Sequence, residues 1–113
     1  MNLPDDPAAA AAMQALLAAT LAGKNATGAV ICLCADWCDT CRDYRATFEQ
    51  AAAQHPALAF RWLDIEDEAA ALGDAVDVQT FPTLLIGDAR TLRFAGPVLP
   101  QAGHLARLLQ SLG

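Results

Sequence analysis

Residues 35 to 42 read ADWCDTCR, and the two cysteines in that stretch, Cys38 and Cys41, admit three chemistries. A pair of thiols at this spacing can supply half of a metal site, close a structural disulfide, or pass two electrons between dithiol and disulfide. Cys32 and Cys34 come just before, so all four cysteines fall within ten residues. A disulfide-stapled secreted domain spreads its cysteines to tie distant segments together, whereas this clustering marks a local site.

The elements around the pair narrow the choice. Ala29 to Ala35 (AVICLCA) is a continuous apolar and β-branched run without charge, the pattern of a strand buried on both faces. From Asp39 to about Gln54 the period becomes helical, with Cys41, Tyr44, Phe48 and Ala52 on one stripe and Arg42, Arg45, Glu49 and Gln50 on the other. Cys38 thus falls at the N-terminus of a helix that follows directly on a strand, where free N–H groups and the macrodipole favour a negative sulfur. Cys41 lies one turn further on the same face, close enough to bridge to Cys38 while pointing inward. Such spacing sets an exposed nucleophile beside a shielded resolving thiol.

The rest of the chain supplies a frame. His55-Pro56 stops the helix, and Leu58 to Asp64 (LAFRWLD) offers a second strand, on which Phe60 and Trp62 alternate as packing residues. Glu66 to Ala75 has the composition of a short helix. Pro82 to Ile86 reads as a third strand, Gly87-Asp88 as a turn, and Thr91 to Ala95 as a fourth strand paired with the third. Gln101 to Leu112 forms a last helix with Leu105, Leu108, Leu109 and Leu112 on one face. With a helix near the N-terminus the order is αβαβαββα, which predicts a three-layer α/β/α sandwich around a four-stranded mixed sheet. Leu58 to Asp64 is expected at an outer edge. The 113 residues read as one domain, an N-terminal helix and turn over 1–28 and a core over 29–113.

Several function classes recede on composition. Seven basic against 13 acidic residues give a formal charge of −6, which repels phosphate backbones and anionic lipid, so neither nucleic acid nor membrane is expected as a partner. Ala8 to Ala22 is nearly all apolar, yet Asp5 and Asp6 stand where a secretory leader carries basic residues, and the run falls short of the ~18 residues of a spanning helix. A helix with Asp6 as cap, Pro7 in its first turn and Met13, Leu16, Leu17 and Leu21 on one face accounts for it, and the chain reads as cytoplasmic. His55 and His104 read as surface or helix-end residues, and 64–68 (DIEDE) as a solvated helix start.

From about Val30 to Leu112 the chain resembles the thioredoxin family. WCDTC matches its W-C-x-x-C site, TFPTLLI the segment holding its cis-proline, WLDIEDE the exit of its third strand, and Ala95-Gly96 a glycine beside the site. The resemblance implies thiol–disulfide exchange, with Cys38 as attacking and Cys41 as resolving cysteine and a redox-active disulfide between them. It also implies that Trp37, Phe81, Pro82 and Gly96 bind substrate, the Phe81 backbone pairing with an extended segment. Protein disulfides are the implied substrates and a thioredoxin reductase the electron donor, with no bound cofactor and a monomeric chain.

The chain also departs from that pattern. Asp39-Thr40 replaces Gly-Pro between the cysteines; Asp39 opposes a thiolate at Cys38 and Arg42 favours it, helix-end terms of ~0.3–1 kcal/mol that nearly cancel. Cys32 occupies the strand position of a buried aspartate, Trp62 that of a lysine, and Cys34 that of a tryptophan, so Asp64 or water would have to relay the proton. Cys32 and Cys34 share one strand face, and Cys32 is expected behind Cys41, as a core residue or as a third thiol that exchanges with it. Two other classes remain: a binding module with little turnover, and a metal or iron–sulfur protein ligated by the four cysteines. Against the latter, two of those cysteines sit on an apolar strand instead of a turn.

Overall fold

The computed structural model describes residues 7–35, 38–65, 82–97 and 102–112. Helix α1 spans Pro7–Leu21, strand β1 Gly28–Cys34, helix α2 Asp39–Gln54, strand β2 Leu58–Asp64, strand β3 Thr83–Gly87, strand β4 Leu92–Pro97 and helix α3 Ala102–Leu112. The helix expected over 66–75 lies outside the described residues. The strands form one mixed sheet in the order β2-β1-β3-β4.

β1 is interior because it carries no charge and can lose both faces; all seven of its residues are buried. β2 pairs with it in parallel, from Gly28 opposite Leu58 to Cys34 opposite Asp64, and stands at the sheet edge as expected. Its half-buried residues suit that place. β3 runs antiparallel to β1, with Leu33 opposite Thr83, and β4 antiparallel to β3. Of the closing hairpin only β4 is an edge strand, since β3 is interior and buried throughout.

The period of two along β1 divides the core. Ala29, Ile31 and Leu33 face α1, where Leu16 and Leu17 are buried and Met13 and Leu21 pack alongside. Val30, Cys32 and Cys34 face α2 and α3, against Cys41, Tyr44, Phe48, Leu105 and Leu109. On α2 the stripe is completed by Ala51, with Ala52 half-buried beside it. Helices thus cover both faces of the sheet, which is the three-layer arrangement that the order of elements predicts.

Local chemistry sets the ends. The Thr20 hydroxyl donates back to the Leu16 carbonyl at 2.9 Å, which satisfies it in a buried position. Gly23, at φ +75°, then turns the chain out of α1 in a conformation L-residues avoid. In the β3–β4 hairpin, Asp88 Oδ1 accepts the Arg90 and Thr91 N–H groups at 2.8 and 2.7 Å. Those bonds, helped by Arg93, hold its carboxyl below the usual carboxylate range. Gln14 Nε2 donates to the Asp88 carbonyl at 2.8 Å and ties α1 to this turn.

Candidate functional site

The cysteines gather where β1 ends and α2 begins. The chain leaves the strand at Cys34, the Cys38 N–H donates to the Ala35 carbonyl at 3.0 Å, and the Arg42 N–H donates to Cys38 O at 3.2 Å to open the helix. Cys38 is therefore the N-cap residue, with φ −91° and ψ 114°, and its sulfur makes no capping bond. It is half-buried and carries a free thiol. The first inward residue of α2 is Cys41, fully buried.

Cys41 is bonded to Cys34. Their Cα atoms lie 5.8 Å apart, inside the usual range for a disulfide. The pairing expected from the resemblance, Cys38 with Cys41, is thus not the bond present here: Cys34 is the last inward residue of the strand and meets the first inward residue of the helix. The placement of Cys32 behind Cys41 is corrected in the same way, because Cys34 holds that place. Cys32 sits two residues back on the same face, its Sγ 3.6 Å from that of Cys34. Cys34 has no proton left to give, so Cys32 is the donor in that contact. Burial pushes the Cys32 thiol up to about 12, so it stays protonated at neutral pH.

Tyr44 follows Cys41 by one helical turn and packs into the same cluster. Its hydroxyl, in a side chain 1 % exposed, is the buried side-chain polar atom without a hydrogen-bond partner among the described residues. Burial raises its titration well above the ordinary tyrosine range, with a smaller contribution from Cys32. Sequence reasoning gave Tyr44 no role at the site, and Cys34 one only in the metal-protein alternative. The available signal was positional, since both alternate in phase with the inward stripe that carries Cys32 and Cys41.

The remaining expected residues divide. Asp39 and Arg42 form an exposed ion pair with each other on the first turn of α2, so each is screened by the other as well as by solvent. Asp64 ends β2 directly opposite Cys34, half-buried. Pro82 is buried just before Thr83, whose partner on β1 is Leu33, so the register carries the proline to the Cys34 end of the sheet. Gly96 lies within β4, paired with Leu84, and not in a loop. Trp37 and Phe81, and with Phe81 the peptide bond preceding Pro82, fall outside the described residues. Trp62 engages Phe48 at 5.7 Å between ring centres and lies under the Arg45 guanidinium at 5.1 Å, the packing role expected of it.

Among the described residues no group of three or more His, Cys, Asp or Glu side chains is placed to hold a metal. No helix among them is long and apolar enough to cross a membrane. Concave regions of about 250 and 300 Å³ lie elsewhere, and no cysteine lines either one.

Comparison with known proteins agrees with this fold. The sequence model of the thioredoxin family matches residues 14–97. A Streptomyces coelicolor protein named as thioredoxin 2 is 35 % identical over 69 residues, which cover 60 % of this chain and 51 % of that protein. The chain thus spans about half the length of the curated relative it matches. Among solved structures, Chlamydomonas reinhardtii thioredoxin f2 superposes with a TM-score of 0.71 at 15 % identity, covering 88 % of this chain and 91 % of that one. The germline-specific thioredoxin Deadhead of Drosophila melanogaster gives 0.68 at 16 % identity, covering 77 % and 82 %. At such identities the structural likeness speaks to the fold.

Proposed function

The chain belongs to the thioredoxin family, and from that premise we propose that it is a thiol–disulfide oxidoreductase that reduces protein disulfides through Cys38 and Cys41. The observation that carries this reading is a half-buried free thiol at the N-cap of α2 with a fully buried cysteine one turn behind it. In the reduced chain the Cys38 thiolate attacks a substrate disulfide and releases one substrate thiolate. Cys41 then attacks Cys38 in the mixed disulfide, freeing the second and leaving Cys38 bonded to Cys41. Trp37, Phe81, Pro82 and Gly96 are the proposed substrate contacts. Two electrons from an external dithiol donor, a thioredoxin reductase drawing on NADPH, reset the pair. A cytoplasmic, monomeric protein fits this cycle.

The test is a disulfide-reduction assay with the fully reduced chain. Cys38→Ser abolishes turnover, and Cys41→Ser accumulates a mixed disulfide with substrate; retained turnover in the first variant discards the nucleophile. A second reading, a thioredoxin-like binding module with little turnover, draws support from the Cys34–Cys41 bond, which withholds the resolving thiol. It predicts that the reduced wild type also fails in the same assay.

A further inference from the structure

Cys41 has two neighbouring cysteines. One is Cys34, to which it is bonded, on the last inward position of β1. The other is Cys38, one helical turn back at the N-cap and packed against the same cluster of buried residues. A free thiol beside a disulfide is the arrangement from which thiol–disulfide exchange proceeds. The departing sulfur is also provided for, because the Cys32 S–H lies 3.6 Å from Cys34 Sγ. A thiolate released in a buried position needs such a donor.

We propose that the oxidised chain partitions between two disulfides sharing Cys41, Cys34–Cys41 and Cys38–Cys41, interconverted by exchange within the protein, and that the first leaves Cys38 as a lone thiol able to hold a small-thiol adduct. The exchange rests on the dithiol reading above and adds Cys34 as its internal competitor. The Cys38 thiolate attacks Cys41 Sγ, the Cys34–Cys41 bond breaks, and Cys34 leaves as a thiolate stabilised by the Cys32 S–H. It takes up the equivalent of the proton that Cys38 gave to solvent, so no electron enters or leaves. With Cys34–Cys41 closed, Cys41 cannot resolve a mixed disulfide at Cys38. Cys38 then reacts with a small disulfide such as oxidised glutathione, bonding to one half and releasing the other as thiolate. The adduct persists until an external thiol removes it. The two isomers are accordingly a turnover form and a capped, monothiol form of the same protein.

The experiment poises the whole chain in mixtures of reduced and oxidised glutathione, quenches it in acid, alkylates the remaining thiols there, and maps the bonds by mass spectrometry. Cleavage before Asp36 and Asp39 separates Cys34 from Cys38 and Cys38 from Cys41, and fragmentation at Leu33 distinguishes Cys32 from Cys34. Both disulfides are expected at the same poise, with glutathione on Cys38 only in chains that carry Cys34–Cys41. A single kind of disulfide at every poise overturns the proposal. Cys34→Ser, and Cys34→Val should serine disturb the buried site, are expected to form Cys38–Cys41 alone and to carry no adduct once it has closed. If the wild type shows only Cys38–Cys41, the exchange falls and the dithiol reading stands. If it shows only Cys34–Cys41 and the variants form no Cys38–Cys41 bond, the dithiol reading falls with it.

Discussion

Raising the pH is expected to reverse the stability order of the wild type and Cys32→Ala. Cys32 is fully buried, and burial raises its thiol from 9.0 to about 12. A folded-state value above the unfolded one means that the thiol's contribution is complete below pH 9 and drains away as pH climbs toward 12. From about pH 8 to 10.5 the unfolded thiol ionises while the folded one does not, a loss of about 2 kcal/mol at ~1.4 kcal/mol per unit past 9. Alanine removes one buried sulfur, which costs on the order of 1 kcal/mol at any pH. The variant should therefore be about 1 kcal/mol less stable at pH 8 and about 1 kcal/mol more stable at 10.5. Urea unfolding of both proteins under a phosphine reductant reads the difference without disulfide reshuffling. Tyr44 titrates in the same direction in both chains and largely cancels. A gap between the two proteins that stays constant across this range refutes the burial argument.

Other outcomes follow from single contacts. Tyr44→Phe removes the buried hydroxyl that has no partner among the described residues and should stabilise the chain by about 1 kcal/mol in denaturant unfolding; a loss of that size would mean that the hydroxyl is bonded. Gly87→Ala places a Cβ against the Thr91 carbonyl oxygen, 3.0 Å from Leu17 Cδ1 and 3.1 Å from Leu92 Cα. A thermal melt should show a cost of about 1–3 kcal/mol. Leu17→Ala empties a fully buried site between α1 and the sheet and should cost about 2–5 kcal/mol in urea unfolding. Asp88→Asn should weaken the chain at neutral pH, and urea midpoints should converge as pH falls through the folded-state value of the depressed carboxyl, where the wild type loses its charge too.

What the sequence conveyed depended on how local each determinant is. The bounds of β1 and α2 were legible because an uncharged run gives way within a few residues to a 3.6-residue stripe. The edge place of β2 was expected too, and Arg61 and Asp64 suit its half-buried positions. The interior place of β3 was not, because a five-residue apolar run reads alike wherever it pairs and only the β1 register decides. At the site, the types of Cys38 and Cys41 were readable from spacing. The partner of Cys41 was not, since it depends on how a strand end and a helix start meet in space.

That meeting follows a rule that Cys34 makes visible. A strand points alternate residues to one face, and a helix returns to a face every three or four residues. Where a strand is followed within a few residues by a helix packed over it, the last inward residue of the first can come opposite the first inward residue of the second. Here those residues are Cys34 and Cys41, and the bond between them needs nothing from the C-x-x-C spacing. Cys38 reaches Cys41 by the other route, along the helix from the N-cap. Two unrelated periodicities thus point to one sulfur, and the proposed exchange is between the two bonds they favour. The choice between them then rests with the chemistry of the competing thiols, one half-buried at a helix end and one in the core beside Cys32.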